Sequence, residues 1–133
     1  KIRNSVSVKI QKGGRIMAST SILDDIKSSI GIVPEYTEFD KQLIVLINSA
    51  FSTLHQLGYG PDGGFEIEDN TTTWDKYITS PRFNFIKSYL IAKVHVGFDP
   101  PTSSIAMNAL EKQISEYEWR INSEAECYRE EDA

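Results

Sequence analysis

Residues 99–122 read DPPTSSIAMNALEKQISEYEWRIN, and this stretch decides the fold class. Pro100 and Pro101 both lack a backbone donor, and a proline also drives the residue before it out of the helical region. Asp99-Pro100-Pro101 therefore ends whatever precedes it, and Thr102 or Ser103 offers a hydroxyl to the free amides of a new first turn. Beyond it, Met107, Leu110, Ile114, Tyr117 and Ile121 recur at steps of three and four, drawing one apolar stripe along a helix. The opposite face carries Glu111, Lys112, Ser115, Glu118 and Asn122. Such a helix is built to pack against other helices.

Working back towards the start, Ser80-Pro81 opens a segment from Arg82 to Val96, with Pro81 suited to a first turn. Phe83, Ile86, Leu90 and Val94 line one of its faces, and Phe85, Tyr89, Ala92 and Val96 another. A helix apolar nearly all round is expected at the centre of a bundle. A second long helix is expected after Thr37-Glu38-Phe39-Asp40, a variant capping box, with Leu43, Ile47, Ala50, Phe51, Leu54 and Leu57 inward and Gly58 as its stop. A short helix from Ser21 to Ile30 precedes it, with Ser21 as its cap, Ile22, Ile26 and Ile30 on one side, and Gly31 and Pro34 as its end.

Between the two long segments, residues 58–72 are rich in glycine and then alternate apolar with acidic residues over Phe65-Glu66-Ile67-Glu68. A projecting loop or a short β-arm is expected there, and loops of this length are often functional. Thr73 to Ile78 read as about one helical turn. The tail from Ser123 to Ala133 sets Glu124, Glu126, Glu130, Glu131 and Asp132 against Arg129 alone and is expected to be frayed or free. The fold class expected is all-α in the main: a bundle of three long helices and one or two short ones, with one projecting loop or short β-arm.

The chain has 133 residues, enough for one domain with a modest core. Its 40% apolar and 25% charged content is that of an ordinary globular protein. A single cysteine, Cys127, excludes an internal disulfide framework and is the pattern of a reducing compartment. The longest apolar runs, such as Leu43 to Ile47, fall far short of the roughly 20 residues that span a bilayer, so no membrane association is expected. The basic start is not followed by an apolar core, so no cleavable signal is read in it.

The net charge of −5 hides an asymmetry: residues 1–16 carry +5 without a single acid, which leaves −10 for the remainder. That acidity argues against a protein whose main task is to grip nucleic acid. The leader has two readings. Lys12-Gly13-Gly14-Arg15-Ile16-Met17 is what a purine-rich run holding a bacterial ribosome-binding sequence would encode, which makes Met17 the native start and residues 1–16 an over-extended frame or an added leader. Alternatively Val6, Val8 and Ile10 alternate with Ser5, Ser7 and Lys9 as in an edge strand. The domain expected is residues 17–133, helical with an acidic tail.

Catalytic chemistry is hard to assemble from these residues. His55 and His95 have no second ligand at metal spacing in their own helices, so a structural or surface role is expected for each. Cys127 lies among Glu124 and Glu126, which disfavour a thiolate. Asp62, Glu66, Glu68 and Asp69 miss the spacing of a calcium loop, and the glycines of residues 58–64 are not followed by the Gly-Lys-Ser/Thr of a phosphate loop. Asn70-Thr71-Thr72 matches a glycosylation acceptor only formally. No cofactor, no metal and no enzymatic activity are expected.

The order and spacing of Leu43-Ile44-Val45-Leu46-Ile47-Asn48, Leu57-Gly58, Thr71-Thr72-Thr73-Trp74-Asp75, Asp99-Pro100-Pro101-Thr102-Ser103-Ser104 and Glu116-Tyr117-Glu118-Trp119-Arg120-Ile121-Asn122 resemble small head–tail connector (adaptor) proteins of tailed bacteriophages. The resemblance covers about residues 20–123, and the leader has no counterpart in it. It implies a helical virion protein, not an enzyme, that assembles with copies of itself as a ring, commonly dodecameric, below the portal protein of the filled head. The ring would extend the DNA channel, let DNA pass without sequence-specific binding, and offer a platform to a stopper or tail-completion protein. The host cytoplasm would hold the protein during assembly. An acidic lining fits a conduit, because it repels phosphate. Two other readings stay open: a different neck or tail-completion protein, and a small cytosolic helical regulator that binds protein or DNA. Against DNA binding, the third long segment offers only Arg82, Lys87 and Lys93 as basic residues.

Two regions are the expected interaction surfaces. One is the arm Gly60 to Asn70 with its neighbours, where Tyr59, Phe65, Ile67, Glu68 and Trp74 would meet an adjoining subunit or partner. The other is the last helix end and tail, with Trp119, Arg120 and Arg129, as the part that docks on the portal. For Trp74 and Trp119 the competing expectation is that they close the core at its ends.

Overall fold

The computed structural model describes residues 20–61 and 63–132, and of residues 82 and 127–132 the backbone alone. The two readings of the leader, the place of Asp62, and the side chains of Cys127 and Arg129 lie outside the described residues. Four α-helices make up the described fold: α1 Ile22–Ser29, α2 Asp40–Gln56, α3 Phe85–Phe98 and α4 Ser104–Asp132. Two 3-10 turns, Trp74–Lys76 and Pro81–Phe83, stand between α2 and α3. No strand occurs among the described residues. The one β feature there is an isolated antiparallel bridge between Ser21 and Thr73, so the β-arm alternative does not hold.

α1 begins as its sequence requires. Ser21 is extended, and its hydroxyl accepts from the Asp24 amide at 3.2 Å, satisfying one of the free donors of the first turn. Gly31 then takes φ +91°, a conformation open to glycine and costly for other residues. Ile22, Leu23 and Ile26 are buried below.

The start of α2 departs from expectation. Phe39 stands at the cap and no side chain bonds the first-turn amides, so the capping box does not form. Asp40 is engaged elsewhere: its Oδ1 lies 2.8 Å from the Lys27 amine. Lys27 is 1% exposed and also donates to the Pro34 carbonyl at 2.8 Å, tying α1, the connecting loop and α2 together. The inward face of α2 is the expected one, with Leu43, Ile47, Ala50, Phe51 and Leu54 buried.

α3 starts one turn later than its sequence suggests, because Pro81–Phe83 closes as a tighter 3-10 turn first. Ile86, Tyr89, Leu90, Ala92 and Val94 are buried around more than half its circumference. It packs against α1, α2 and α4, the central place expected of an all-round apolar helix.

α4 opens on Ser103, whose hydroxyl accepts from the Ala106 amide at 3.2 Å. Ile114 and Ile121 of its stripe are buried, and Met107, Leu110 and Tyr117 are half-buried. Its 29 residues give a rod of about 43 Å. The expectation of a free tail from Ser123 is corrected, since the helix runs on to Asp132 and Ala125 is buried. Ala125 lies four residues beyond Ile121 and simply extends the same stripe.

Candidate interaction surfaces

The loop between α2 and α3 is fastened to the bundle. Asn48, one position off the buried face of α2, reaches the backbone of Ile67 twice: the Ile67 amide donates to its Oδ1 at 2.8 Å, and its Nδ2 donates to the Ile67 carbonyl at 3.0 Å. The side-chain amide thus stands in for a neighbouring strand, which is why an extended segment persists without a sheet. Ile67 is 1% exposed beneath this pair.

Phe65 turns inward too. Its ring stacks on Tyr77 at 4.1 Å and meets Phe51 and Tyr59 edge-on at 5.6 and 5.7 Å. Tyr59 lies 4.6 Å from Phe83, and its hydroxyl donates to the Tyr77 carbonyl at 2.9 Å. The Tyr77 hydroxyl donates in turn to the Glu66 carbonyl at 2.6 Å. Burial pushes the Tyr59 hydroxyl pKa up to about 12. Gly60, at φ +109°, brings its backbone so close that a Cβ would sit 3.1 Å from the Phe65 ring.

These contacts correct the picture of a projecting arm. Phe65 and Ile67 pack within their own subunit, and Tyr59 is half-buried beside them. Trp74 is buried as well, with its Nε1 donating to Asp25 Oδ2 at 2.9 Å and Lys87 standing 5.5 Å over the ring. Alternation of apolar and acidic residues had two solutions, and the one with Phe65 and Ile67 buried leaves Glu66, Glu68 and Asp69 outward. Asp69 accepts from the Thr71 amide and hydroxyl at 2.9 and 2.6 Å, which holds its carboxyl below the usual range. Beside the aromatic cluster an open cleft of about 580 Å³ is walled by Tyr59, Phe65, Tyr77 and Phe83, with Lys76 and Ala125 at its edges.

The second expected region has a different geometry. Trp119 is 70% exposed on the outward side of α4, so it does not close the core. Arg120, beside it, lays its guanidinium 4.2 Å over the Phe85 ring and is thereby engaged within the subunit. Asn122 donates to the Leu57 carbonyl at 3.2 Å, joining α4 to the end of α2.

Three surfaces escaped the sequence. Ile105, at 82%, is the most exposed large apolar side chain among the described residues, and it lies on the outward face of α4 with Lys112 and Trp119. At the same end of the bundle Tyr36 meets Phe39 at 5.7 Å and Phe39 meets Phe98 edge-on at 5.1 Å, while Val33 is exposed nearby in sequence. A groove of about 580 Å³ also runs between α2 and α4 over α3, with Leu46, Ala50, Gly97 and Ile114 in its lining and Lys93, Glu111 and Glu118 among its polar groups. The sequence did carry a signal for Ile105, which falls out of step with the stripe of Met107, Leu110 and Ile114.

Among the described residues no group of three or more His, Cys, Asp or Glu could hold a metal, and no helix is long and apolar enough to cross a membrane. His55 is exposed and His95 half-buried. No curated protein and no solved structure matches the chain. A family model described as phage connector protein matches residues 22–127, from the first residue of α1 to near the end of α4. The chain therefore belongs to the phage connector protein family, and its role is that of a structural connector in a phage particle.

Proposed function

We propose that the protein is a neck subunit that assembles with copies of itself into a ring, dodecameric in the particle, between the portal of the filled head and the tail. The observation that carries this reading is the family match over residues 22–127, nearly all of the described bundle. The physical character of the bundle supports it. Its core is complete within one chain, yet large apolar side chains remain outside on different faces, at Val33, Val45, Ile105 and Trp119. Unlike faces that meet between copies give heterologous contacts, the kind that forms a ring when the rotation from copy to copy closes. A subunit with −10 beyond the leader suits a conduit for DNA, since its field repels the phosphate backbone.

On this reading the ring extends the channel, the end of α4 beyond Trp119 meets the portal, and the opposite rim receives a stopper or tail-completion protein. Negative-stain microscopy of the purified protein, alone and mixed with portal-bearing heads, tests it. Rings in either sample, seated on the portal vertex in the second, are the expected result. Portal-bearing heads that remain bare at saturating protein refute the reading.

A further inference from the structure

Lys27 is the one fully buried charged residue among the described residues, and more than one acid gathers around it. Asp40 Oδ1 meets its amine at 2.8 Å and is sealed from water. Asp24 stands three positions before Lys27 on α1, a spacing that puts two side chains on one face. Its Oδ1 is sealed from water as well, and has no hydrogen-bond partner among the described residues. Glu35, in the loop between α1 and α2, is a third carboxylate close enough to act on Asp24. One amine therefore serves three acids.

That amine is already committed. It donates to the Pro34 carbonyl at 2.8 Å and faces Asp40. An ionised Asp24 is left with a buried oxygen unpaired, which is costly, and a proton is the smallest partner that removes the charge. Burial pushes the Asp24 carboxyl above the ordinary aspartate value; Lys27 and the Asn70 side chain pull it back in part, and the charges of Asp40 and Glu35 push it further. The other charged groups of the neighbouring elements are turned elsewhere. Asp25 is taken by Trp74 Nε1 and the Thr20 hydroxyl, Lys87 of α3 stands over the Trp74 ring, Asp69 is held by Thr71, and Glu38 and Lys41 are exposed.

Lys27 also governs the loop that follows α1. Its carbonyl accepts from the Ile32 amide at 2.8 Å while its amine holds Pro34, so the stretch with the exposed Val33 and Tyr36 hangs on this residue.

We infer that the α1–α2 corner is a proton-operated latch: Asp24 takes up a proton in mildly acidic medium, Lys27 is then left to Asp40 and Pro34, and the loop carrying Val33 and Tyr36 is held more firmly. The proton comes from solvent and turns the carboxylate into a neutral carboxyl, with no other bond changed. The folded chain keeps this proton to a higher pH than the unfolded chain does. The stability that Asp24 contributes is therefore complete below the ordinary aspartate value and is lost as pH rises through the raised one. Paired carboxylates, which drive acid denaturation, act in the opposite direction. The latch does not depend on the ring reading.

The test uses the full chain. Carbon-13 NMR of the side-chain carboxyls follows Asp24 directly, and its titration midpoint should lie above the ordinary aspartate value, higher still in Asn70→Ala and lower in Glu35→Gln. Hydrogen exchange reads the loop: protection of the Ile32 and Tyr36 amides, each taken relative to Leu90 in α3, should rise severalfold as pH falls from about 7 to about 4. Asp24→Asn keeps the shape and carries a permanent donor, so its loop should be well protected at neutral pH and gain nothing more on acidification. An Asp24 midpoint at or below the ordinary value overturns the latch, whether or not Asp24→Asn folds. A rise in protection that is equal in the parent and in Asp24→Asn overturns it too, because the effect then belongs to another group.

Discussion

Asn48→Ala isolates what holds the long loop to the bundle. The substitution removes two hydrogen bonds, at 2.8 and 3.0 Å, and leaves the amide and the carbonyl of the buried Ile67 without their partner. A neutral hydrogen bond contributes about 1 kcal/mol net, and an unsatisfied buried group costs about 1–3 kcal/mol. Two groups therefore set a range of about 2–6 kcal/mol. Asn48 is half-buried, so water reaches the gap in part and the lower end applies. Alanine also recovers up to roughly 0.7 kcal/mol of helix propensity within α2. The net expectation is about 2 kcal/mol, or a fall in Tm of about 6–10 °C for a domain of this size.

Urea unfolding should show a lower midpoint at unchanged slope, because the surface exposed on unfolding is nearly the same. Hydrogen exchange at the Ile67 amide should accelerate by more than the global loss of stability explains, since the loop opens locally. Asn48→Asp separates the two bonds: at neutral pH it keeps the acceptor for the Ile67 amide but turns a carboxylate oxygen towards the Ile67 carbonyl. Its deficit should shrink as pH falls through the carboxylate range and the protonated group becomes a donor. A Tm within about 2 °C of the parent, with Ile67 exchange unchanged, refutes the reasoning and would mean that burial of Phe65 and Ile67 suffices.

Lys27→Met should cost about 3 kcal/mol in urea unfolding, the low end for a broken buried pair because Asp40 is still 26% exposed, and Asp40→Leu on top should return most of it. A double variant no better than the single one rejects that pairing. Stability should fall as pH climbs from about 10 towards 12, because unfolded tyrosines release their protons near pH 10 while Tyr59 is held to about 12 and Tyr89 is raised by burial first and its bond to Glu118 second. The sign follows from the unfolded chain binding fewer protons in that window; a urea midpoint flat across it, or an equal decline in Tyr59→Phe/Tyr89→Phe, contradicts the assignment. Ser21→Ala should lower stability by about 1 kcal/mol through loss of the α1 cap, read as a thermal shift of about 3–5 °C.

The short ordered motifs resemble the family to which the chain belongs. Within the fold, the stripe from Met107 to Ile121, the buried face of α2 and the central place of α3 were all legible, because helical period and proline or glycine punctuation are properties of neighbouring residues. Ser21 and Ser103 were legible as caps for the same reason. Three features were not. Asp40 looked like the end of a capping box, but the competing partner, Lys27, lies 13 positions away and meets it only when α1 folds back on α2. The segment from Phe65 to Glu68 looked like an arm, but its direction depended on Asn48 and on an aromatic cluster drawn from α2, the 3-10 turns and the loop itself. Charge hid the continuation of α4 past Asn122, although Ala125 keeps the stripe.

Sequence alone settled the helical class, the order of the elements and the apolar face of each, since those depend on spacing along one chain and on where the backbone can turn. Which apolar residues stay outside was decided by packing. Ile105 and Trp119 are exposed, and Phe65, Ile67 and Trp74 are covered, because the core fills first with the side chains that two or more elements can reach together. What is left over on the surface depends on the neighbours that the assembled bundle brings against each helix as well as on the stripe of that helix, out of which Ile105 falls.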